Sequence, residues 1–236
     1  MRLLDLFCGA GGAAKGYADA GFEVVGVDHK PQPRYPFAFI QADALDYLAA
    51  HGHEYDAIHA SPPCQQFTTL RGMWNHRGRD EHPDLVAPTR ELLRATGLPY
   101  VIENVPGSPL GRGSVMLCGT MFGLGTADGR AELRRHRYFE MREVAALAPH
   151  CQHRRVSVGV YGDGNGRDYR RHPVTVGVYG HAGGPSAREL AQQFLTRERG
   201  EAMGIDWMTG NELSQAIPPA YTNWIGRRLM ERLARQ

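Results

Sequence analysis

The side chains in this sequence best suited to chemistry are a cysteine, a glutamate and two arginines. Cys64 stands in "SPPCQ" (61–65), directly after the apolar run "YDAIHA". Two prolines stiffen the backbone before it, and the segment after it, "QQFTTLRGMWNHRGRD", is polar and Arg-rich. That setting does not suit a core thiol, so Cys64 is expected to be a nucleophile. Glu103 closes the apolar run in "IENV", where a carboxyl group can exchange a proton with the ring nitrogen of a base. A second constellation is "DLFCGAGG" (5–12). Asp5 begins it, and Gly9, Gly11 and Gly12 let a ligand approach backbone N–H groups at a helix N-terminus. It is not the G-x-G-x-x-G dinucleotide fingerprint. Asp28, about twenty positions on, is placed to accept hydrogen bonds from ribose hydroxyls, and Asp43 from an adenine amino group. A nucleoside-containing ligand is expected. The plainer alternatives are a tight turn for the glycines and solvated strand-end carboxylates for the two aspartates.

These residues need a frame to gather them. The first hundred positions alternate short apolar runs with helical stretches, the pattern of a parallel sheet with helices on its faces. "LLDLF", "EVVGVD", "FAFIQAD", "YDAIHAS" and "YVIENV" read as strands; "GGAAKGYADAG" and "LVAPTRELLRATG" read as helices. Each strand run ends in something polar or special, and in open α/β sheets ligands bind outside the carboxyl ends of the strands. The fold class expected is α/β and Rossmann-like, with a small Gly/Arg-rich β insertion. From Glu143 to Gly184 the near-copies "VSVGVYGDG" (156–164) and "VTVGVYGHA" (174–182) suggest paired strands. After them "SARELAQQFLTRERGEAMG" and "PPAYTNWIGRRLMERLARQ" read as helices, the second opened by prolines.

Taken together, these motifs resemble the DNA cytosine-5 methyltransferases. "DLFCGAGG" looks like the cofactor loop of that family, "PPCQ" its nucleophile motif, "ENV" its glutamate motif and "LRRHRYFE" (133–140) its Arg-x-Arg motif, through Arg135 and Arg137. "QAIPPAYTNWIG" is similar to the family's last motif. The order is the family's own, and the motifs cover nearly the whole chain apart from residues 143–195. The resemblance implies an S-adenosylmethionine-dependent fold and a flipped cytosine as substrate. Cys64 would attack carbon 6, with Glu103 engaging the ring nitrogen and Arg137 polarising the exocyclic oxygen. Arg135, Arg137 or the base's own protonation would help supply the thiolate. Phe7, Pro63 and Leu85 would join the cofactor pocket, and Gln65 would hold the loop or the extruded nucleotide. One departure stands out: where relatives carry a Gly-Asn pair, this chain reads "LSQAIPP".

The implied organisation is a catalytic and cofactor-binding part over 1–142, a small target-recognition region over 143–195, and C-terminal helices over 196–236 that complete the catalytic part. Net charge is only +2, but residues 130–173 hold ten arginines against five acidic residues. That stretch can face phosphates. Arg71, Arg154, Arg155, Arg167, Arg170 and Arg171 are the candidate nucleic-acid contacts. A recognition region of about fifty residues makes few base contacts, so a short or relaxed target site is expected.

At 236 residues, 42% hydrophobic and 22% charged, the chain fits one core. No apolar run reaches the roughly 20 residues of a membrane span, and "MRLLDLF" lacks a signal-peptide layout. The expectation is a cytoplasmic monomer acting on double-stranded DNA, with no obligate protein partner and no membrane association. The four cysteines show no C-x-x-C pair. "HCQH" (150–153) lacks a fourth metal ligand, so no metal is expected. Cys8 is expected beside the cofactor loop and Cys118 in the core. Other readings are the same chemistry on RNA or a free nucleotide, transfer of a group other than methyl, and a catalytically idle nucleic-acid-binding protein. Amino-group methyltransferases fit poorly, because they need no thiol.

Overall fold

The computed structural model describes residues 1–64, 67, 84–129, 131–144, 147–154, 156–159 and 196–235. The five expected strands are present: β1 (Arg2–Leu6), β2 (Glu23–Asp28), β3 (Ala38–Gln41), β4 (Ala57–Ala60) and β5 (Tyr100–Asn104). They pair in parallel in the order β3-β2-β1-β4-β5. The winding direction reverses between β1 and β4, and the crevice at such a switch point is where open α/β sheets bind ligands. The loops carrying Phe7–Gly12 and Ser61–Cys64 leave the sheet there.

Helices α1 (Gly12–Asp19), α2 (Ala44–His51) and α3 (Val86–Thr96) connect these strands. Next come β6 (Val115–Leu117), β7 (Ala131–Arg134) and β8 (Arg137–Arg142). β8 lies antiparallel to both β5 and β6, completing a seven-stranded sheet. β9 (Val156–Gly159) pairs in parallel with β7 in a second sheet of two strands. Helices α4 (Thr196–Met203), α5 (Gly210–Gln215) and α6 (Pro219–Leu233) follow.

Alternation along the strands divides the core into two layers. Leu3, Val24, Ala57 and Val101 face Tyr17 of α1 and Tyr221, Ile225 and Leu229 of α6. Leu4, Val25, Ile58 and Ile102 face Leu48 of α2 and Leu93 of α3. Because both faces are covered, the strands read as nearly continuous apolar runs.

The structure sharpens three expectations. "LRRHRYFE" is split between β7 and β8, with Arg135 and His136 between them. The first near-copy supplies β9, which pairs with β7 of the preceding part, while the second copy lies outside the described residues. Of the helix expected over 186–204, Thr196–Met203 is described and helical. Among the described residues no helix is long and apolar enough to cross a membrane.

Candidate active site

Following one face of the sheet toward the carboxyl ends of the parallel strands shows how the site is built. Two residues beyond Leu3 comes Asp5; two beyond Ala57 comes His59; two beyond Val101 comes Glu103. Asp28 lies four beyond Val24, and on antiparallel β8 Arg137 lies two before Phe139. The period of two places all five on the α1/α6 face. Each is nearly inaccessible to solvent, between 0% and 9% exposed. An apolar layer therefore gives way to an ionisable one along a single sheet face.

The Cys64 loop is fixed to this layer. Asn104 Nδ2 donates to the Pro62 carbonyl at 2.9 Å, and Phe67 N–H donates to the Cys64 carbonyl at 2.9 Å. Glu103 and Arg137 form a buried ion pair, Nε to Oε1 2.9 Å, though that oxygen has no hydrogen bond aligned on it. Burial pushes the Glu103 carboxyl up, against the pull of Arg137, Arg135 and the Ser61 hydroxyl. Behind Ser61 runs a chain of polar contacts: Ser61 Oγ is 2.9 Å from His59 Nε2, and His59 Nδ1 is 3.0 Å from the Tyr17 hydroxyl. Burial lowers His59 to a pKa of about 3, so the ring is neutral. In the tautomer that carries its proton on Nε2, Tyr17 donates to Nδ1 and Nε2–H donates to Ser61, which leaves the Ser61 hydroxyl free to donate to Glu103.

The Cys64 thiol is partly buried and its pKa is raised, first by burial and then by the Glu103 carboxylate; Arg137 and Arg135 act in the opposite direction. Both arginines act in the direction expected of them, toward the thiolate, while desolvation and the neighbouring negative charge outweigh them. The Glu103 carboxylate thus disfavours ionisation of Cys64.

At the other side of the switch point, the glycine loop turns through Phe7 (φ 56°), Gly9 (φ 49°) and Gly11 (φ 86°). A left-handed phenylalanine is uncommon and marks a strained turn. Asp28 Oδ2 accepts from Gly9 N–H at 3.1 Å and Oδ1 from Lys30 N–H at 2.9 Å, holding the loop against β2. Asp5 is the unusual member. Its side chain is buried, neither oxygen has an aligned hydrogen-bond partner, and burial raises it to a pKa of about 8. The Tyr35 hydroxyl is close enough to favour the carboxylate without bonding to it in good geometry. The Tyr35 ring lies over Gly26 and against Gly11, where any added Cβ would meet it. A buried carboxylate without partners, beneath a glycine turn, suits a cationic ligand.

Other expected site residues also make contacts within the fold. Gly12 contacts the C-terminal segment: a Cβ there would come within 2.5 Å of the Ile217 carbonyl. Its small size serves packing of the loop against that segment. Asp43 caps α2, its Oδ1 accepting from Leu45 N–H at 2.9 Å and Asp46 N–H at 3.1 Å. Arg135 is fully buried, its Nη2 donates to the Ser214 carbonyl at 2.8 Å, and its own carbonyl accepts from the Tyr221 hydroxyl at 2.6 Å. It positions the Arg-x-Arg turn against the segment carrying "LSQAIPP". Leu85 precedes α3, and Pro63 lies partly buried beside Cys64. Arg154 is exposed, and its N–H donates to Glu132 Oε2 at 3.2 Å. Gln65, Arg71, Arg155, Arg167, Arg170 and Arg171 lie outside the described residues.

Sequence reasoning missed Asn104, His59, Tyr17 and Tyr35 as parts of the site. Asn104 was visible within "ENV", and His59 sits two residues beyond Ala57 on the alternation. Tyr35 left no signal, because its place depends on how the β2–β3 loop folds back. Two members of "HCQH", Cys151 and His153, meet two residues distant in sequence, Cys118 and His136; His150 is not part of that cluster. Cys118 is buried as expected, but its sulfur faces His153.

Sheet order, the antiparallel β8 and the site at the switch point define the Rossmann-like fold of S-adenosylmethionine-dependent methyltransferases. Among solved structures the chain is similar to a candidate DNA modification methyltransferase encoded within an E. coli prophage, with a TM-score of 0.61, 16% identity and 99% of each chain covered. It is also similar to the Dnmt2 methyltransferase of S. pombe, with a TM-score of 0.57, 15% identity and 98% of each chain covered. By sequence it resembles the Type II methyltransferase M.AgeI of Thalassovita gelatinovora, 29% identical over 124 residues, 45% of this chain and 28% of that protein. A second relative is the Type II methyltransferase M.FnuDI of Fusobacterium nucleatum, 32% identical over 89 residues, 34% of this chain and 26% of that protein. The matched stretches thus span about a quarter of these relatives' length. No family model matches the chain.

Proposed function

We propose that the chain is a DNA cytosine-5 methyltransferase that uses S-adenosylmethionine and a transient covalent bond from Cys64. The observation that carries this reading is the placement of Cys64 beside a Glu103–Arg137 pair, on the same edge as the Asp5 glycine turn. The similarity to a candidate DNA modification methyltransferase supports it.

S-adenosylmethionine, when bound, supplies an electrophilic methyl group, and its ammonium and sulfonium charges fit the unsatisfied Asp5 carboxylate. The chain's own residues must make carbon 5 of cytosine able to take that methyl. One proton leaves the Cys64 sulfur as sulfur bonds to carbon 6, and one proton arrives from Glu103 at ring nitrogen 3. Because the Glu103 carboxylate disfavours the Cys64 thiolate, a base that accepts a hydrogen bond from protonated Glu103 would favour ionisation of Cys64, its proton passing to Glu103 or to water. Arg137 polarises the exocyclic oxygen and draws electron density as the adduct forms. Afterwards a water molecule or hydroxide takes the carbon 5 proton, the C6–S bond breaks with the sulfur leaving as thiolate, and ring nitrogen 3 returns its proton to Glu103.

In this reading, residues 1–142 and 196–236 form the catalytic part and 143–195 the target-recognition region. The enzyme acts as a cytoplasmic monomer on double-stranded DNA with a flipped target base. The test is incubation with isotopically labelled S-adenosylmethionine and unmodified duplex DNA, followed by digestion to nucleosides and mass identification. Wild type is expected to form 5-methylcytosine and Cys64→Ser none. Label in RNA alone moves the substrate assignment to RNA. Label on an amino group, or full activity in Cys64→Ser, overturns the mechanism.

A further inference from the structure

Outside the site just described, the described residues bring together one cluster with the donor set of a metal centre: Cys118, His136, Cys151 and His153. They come from three separate stretches. Cys118 follows β6, His136 lies in the turn between β7 and β8, and Cys151 and His153 precede β9. One ligand-capable atom from each lies within 4.8 Å of all the others. Cys118 Sγ and His153 Nε2 are 3.4 Å apart. A tetrahedral ion with Zn–S near 2.3 Å and Zn–N near 2.0–2.1 Å holds sulfur and nitrogen about 3.5 Å apart. The two imidazoles stack, with centroids 5.2 Å apart and planes 28° apart.

We propose that these four side chains form a structural zinc site of the Cys2His2 type. Two thiolates and two neutral imidazoles, with no carboxylate, select zinc over calcium or magnesium. Two protons leave the thiols when the ion binds, so the site carries no net charge. A second observation points to a ligand independently of the cluster's composition: His136 Nε2 is buried and has no hydrogen-bond partner. A buried imidazole nitrogen without a partner is costly, and a metal ion removes that cost. Thr120 Oγ1, 3.3 Å from Cys118 Sγ, can donate to the thiolate as an outer support of the kind metal ligands use. The competing arrangement, a Cys118–Cys151 disulfide, satisfies the sulfurs but leaves two imidazoles stacked face to face with that nitrogen still unpaired.

The location gives the site a purpose. His136 is the middle residue of Arg135-His136-Arg137, and β8 begins at Arg137 beside Glu103. The ion would tie the segment leading into β9 to the turn that aims Arg137, so that the catalytic arginine and the approach to the recognition region share one anchor. His136 is thus a positioning residue.

The test uses the full chain purified without added metal or chelator, with zinc measured by plasma mass spectrometry. About one zinc ion per chain is expected, and cobalt substitution should give the visible bands of a tetrahedral, thiolate-bound ion. Cys151→Ser and His153→Ala, at less buried positions than Cys118, should keep a native far-ultraviolet circular dichroism spectrum and lose the stoichiometric zinc. His136→Ala should lose it too. Metal-free wild type whose melting temperature ignores added zinc chloride overturns the proposal, as does undiminished zinc in Cys151→Ser and His153→Ala. A Cys118–Cys151 disulfide found by peptide mapping of the native protein also overturns it. None of these readouts requires methyl transfer, so the zinc site and the proposed function stand or fall separately.

Discussion

At the level of single residues, the decisive coupling is between Cys64 and Glu103. Their charges repel, so a change at one should be visible in the titration of the other. Glu103→Gln removes the carboxylate that raises the thiol, and the pH profile of Cys64 alkylation by iodoacetamide should move to lower pH. Arg137→Met removes a charge that favours the thiolate, and the same profile should move to higher pH. Both substitutions should cut methyl transfer by roughly 100- to 10,000-fold, the range for losing a positioned proton donor or charge stabiliser. A shift in the same direction for both variants would contradict this electrostatic picture. Cys64, Glu103 and Arg137 could be singled out in the sequence because each sits in a short motif: Cys64 in the loop after β4, Glu103 near the end of β5 and Arg137 at the start of β8. The sign of the Cys64 shift was not legible, since it depends on burial and on which neighbour is nearer.

At the level of elements, the glycine loop is held in place by packing as much as by its own turn. α1 lies so close to the C-terminal segment that a Cβ on Gly16 would fall on the Pro219 carbonyl and the Thr222 hydroxyl. Thr222 Oγ1 donates to the Ala13 carbonyl at 2.8 Å, and Trp207 Nε1 to the Ala10 carbonyl at 2.8 Å. Gly16→Ala should therefore destabilise the fold by about 1–3 kcal/mol and, by disturbing the packing behind the glycine loop, weaken S-adenosylmethionine binding. Calorimetric titration alongside thermal melting checks this; unchanged affinity would show that the loop holds its shape without α6. The strands and the longer helices were readable from their apolar runs and glycine or proline boundaries. α2 was not singled out, and Asp43, read as a ligand contact, is its cap. A strand-end aspartate followed by a helix serves both roles equally well in sequence. β7 pairing with β9 was also hidden, because parallel pairing across more than twenty residues leaves no local pattern.

At the level of the whole molecule, buried ionisable groups should write the pH dependence of stability. His59 has its pKa lowered to about 3 and Asp5 has its pKa raised to about 8. Between about pH 4 and 6.5 the unfolded chain protonates His59 and ionises Asp5, so the two contributions oppose each other. From pH 6.5 to 8 the Asp5 contribution is no longer opposed by His59: the folded state holds a proton that the unfolded state has released, and stability falls as pH rises. One proton over that window amounts to about 2 kcal/mol. Wild type should lose that much between pH 6.5 and 8 in urea denaturation, and Asp5→Asn should not. Asp5→Asn should also be the more stable protein at pH 8 while failing to bind S-adenosylmethionine, which would mark Asp5 as a group kept for its ligand.

The closeness of α1 to α6 also has a consequence during synthesis. Ala13 and Thr222, joined by a hydrogen bond, are separated by 209 positions. At ribosomal speeds of about 5–20 residues per second, the turn at residues 5–12 waits on the order of 10–40 s for the helix that braces it. Under the proposed function, a nascent chain caught in that interval carries its nucleophile before the donor pocket is braced, and a product terminated upstream of residue 216 is expected to transfer no methyl group.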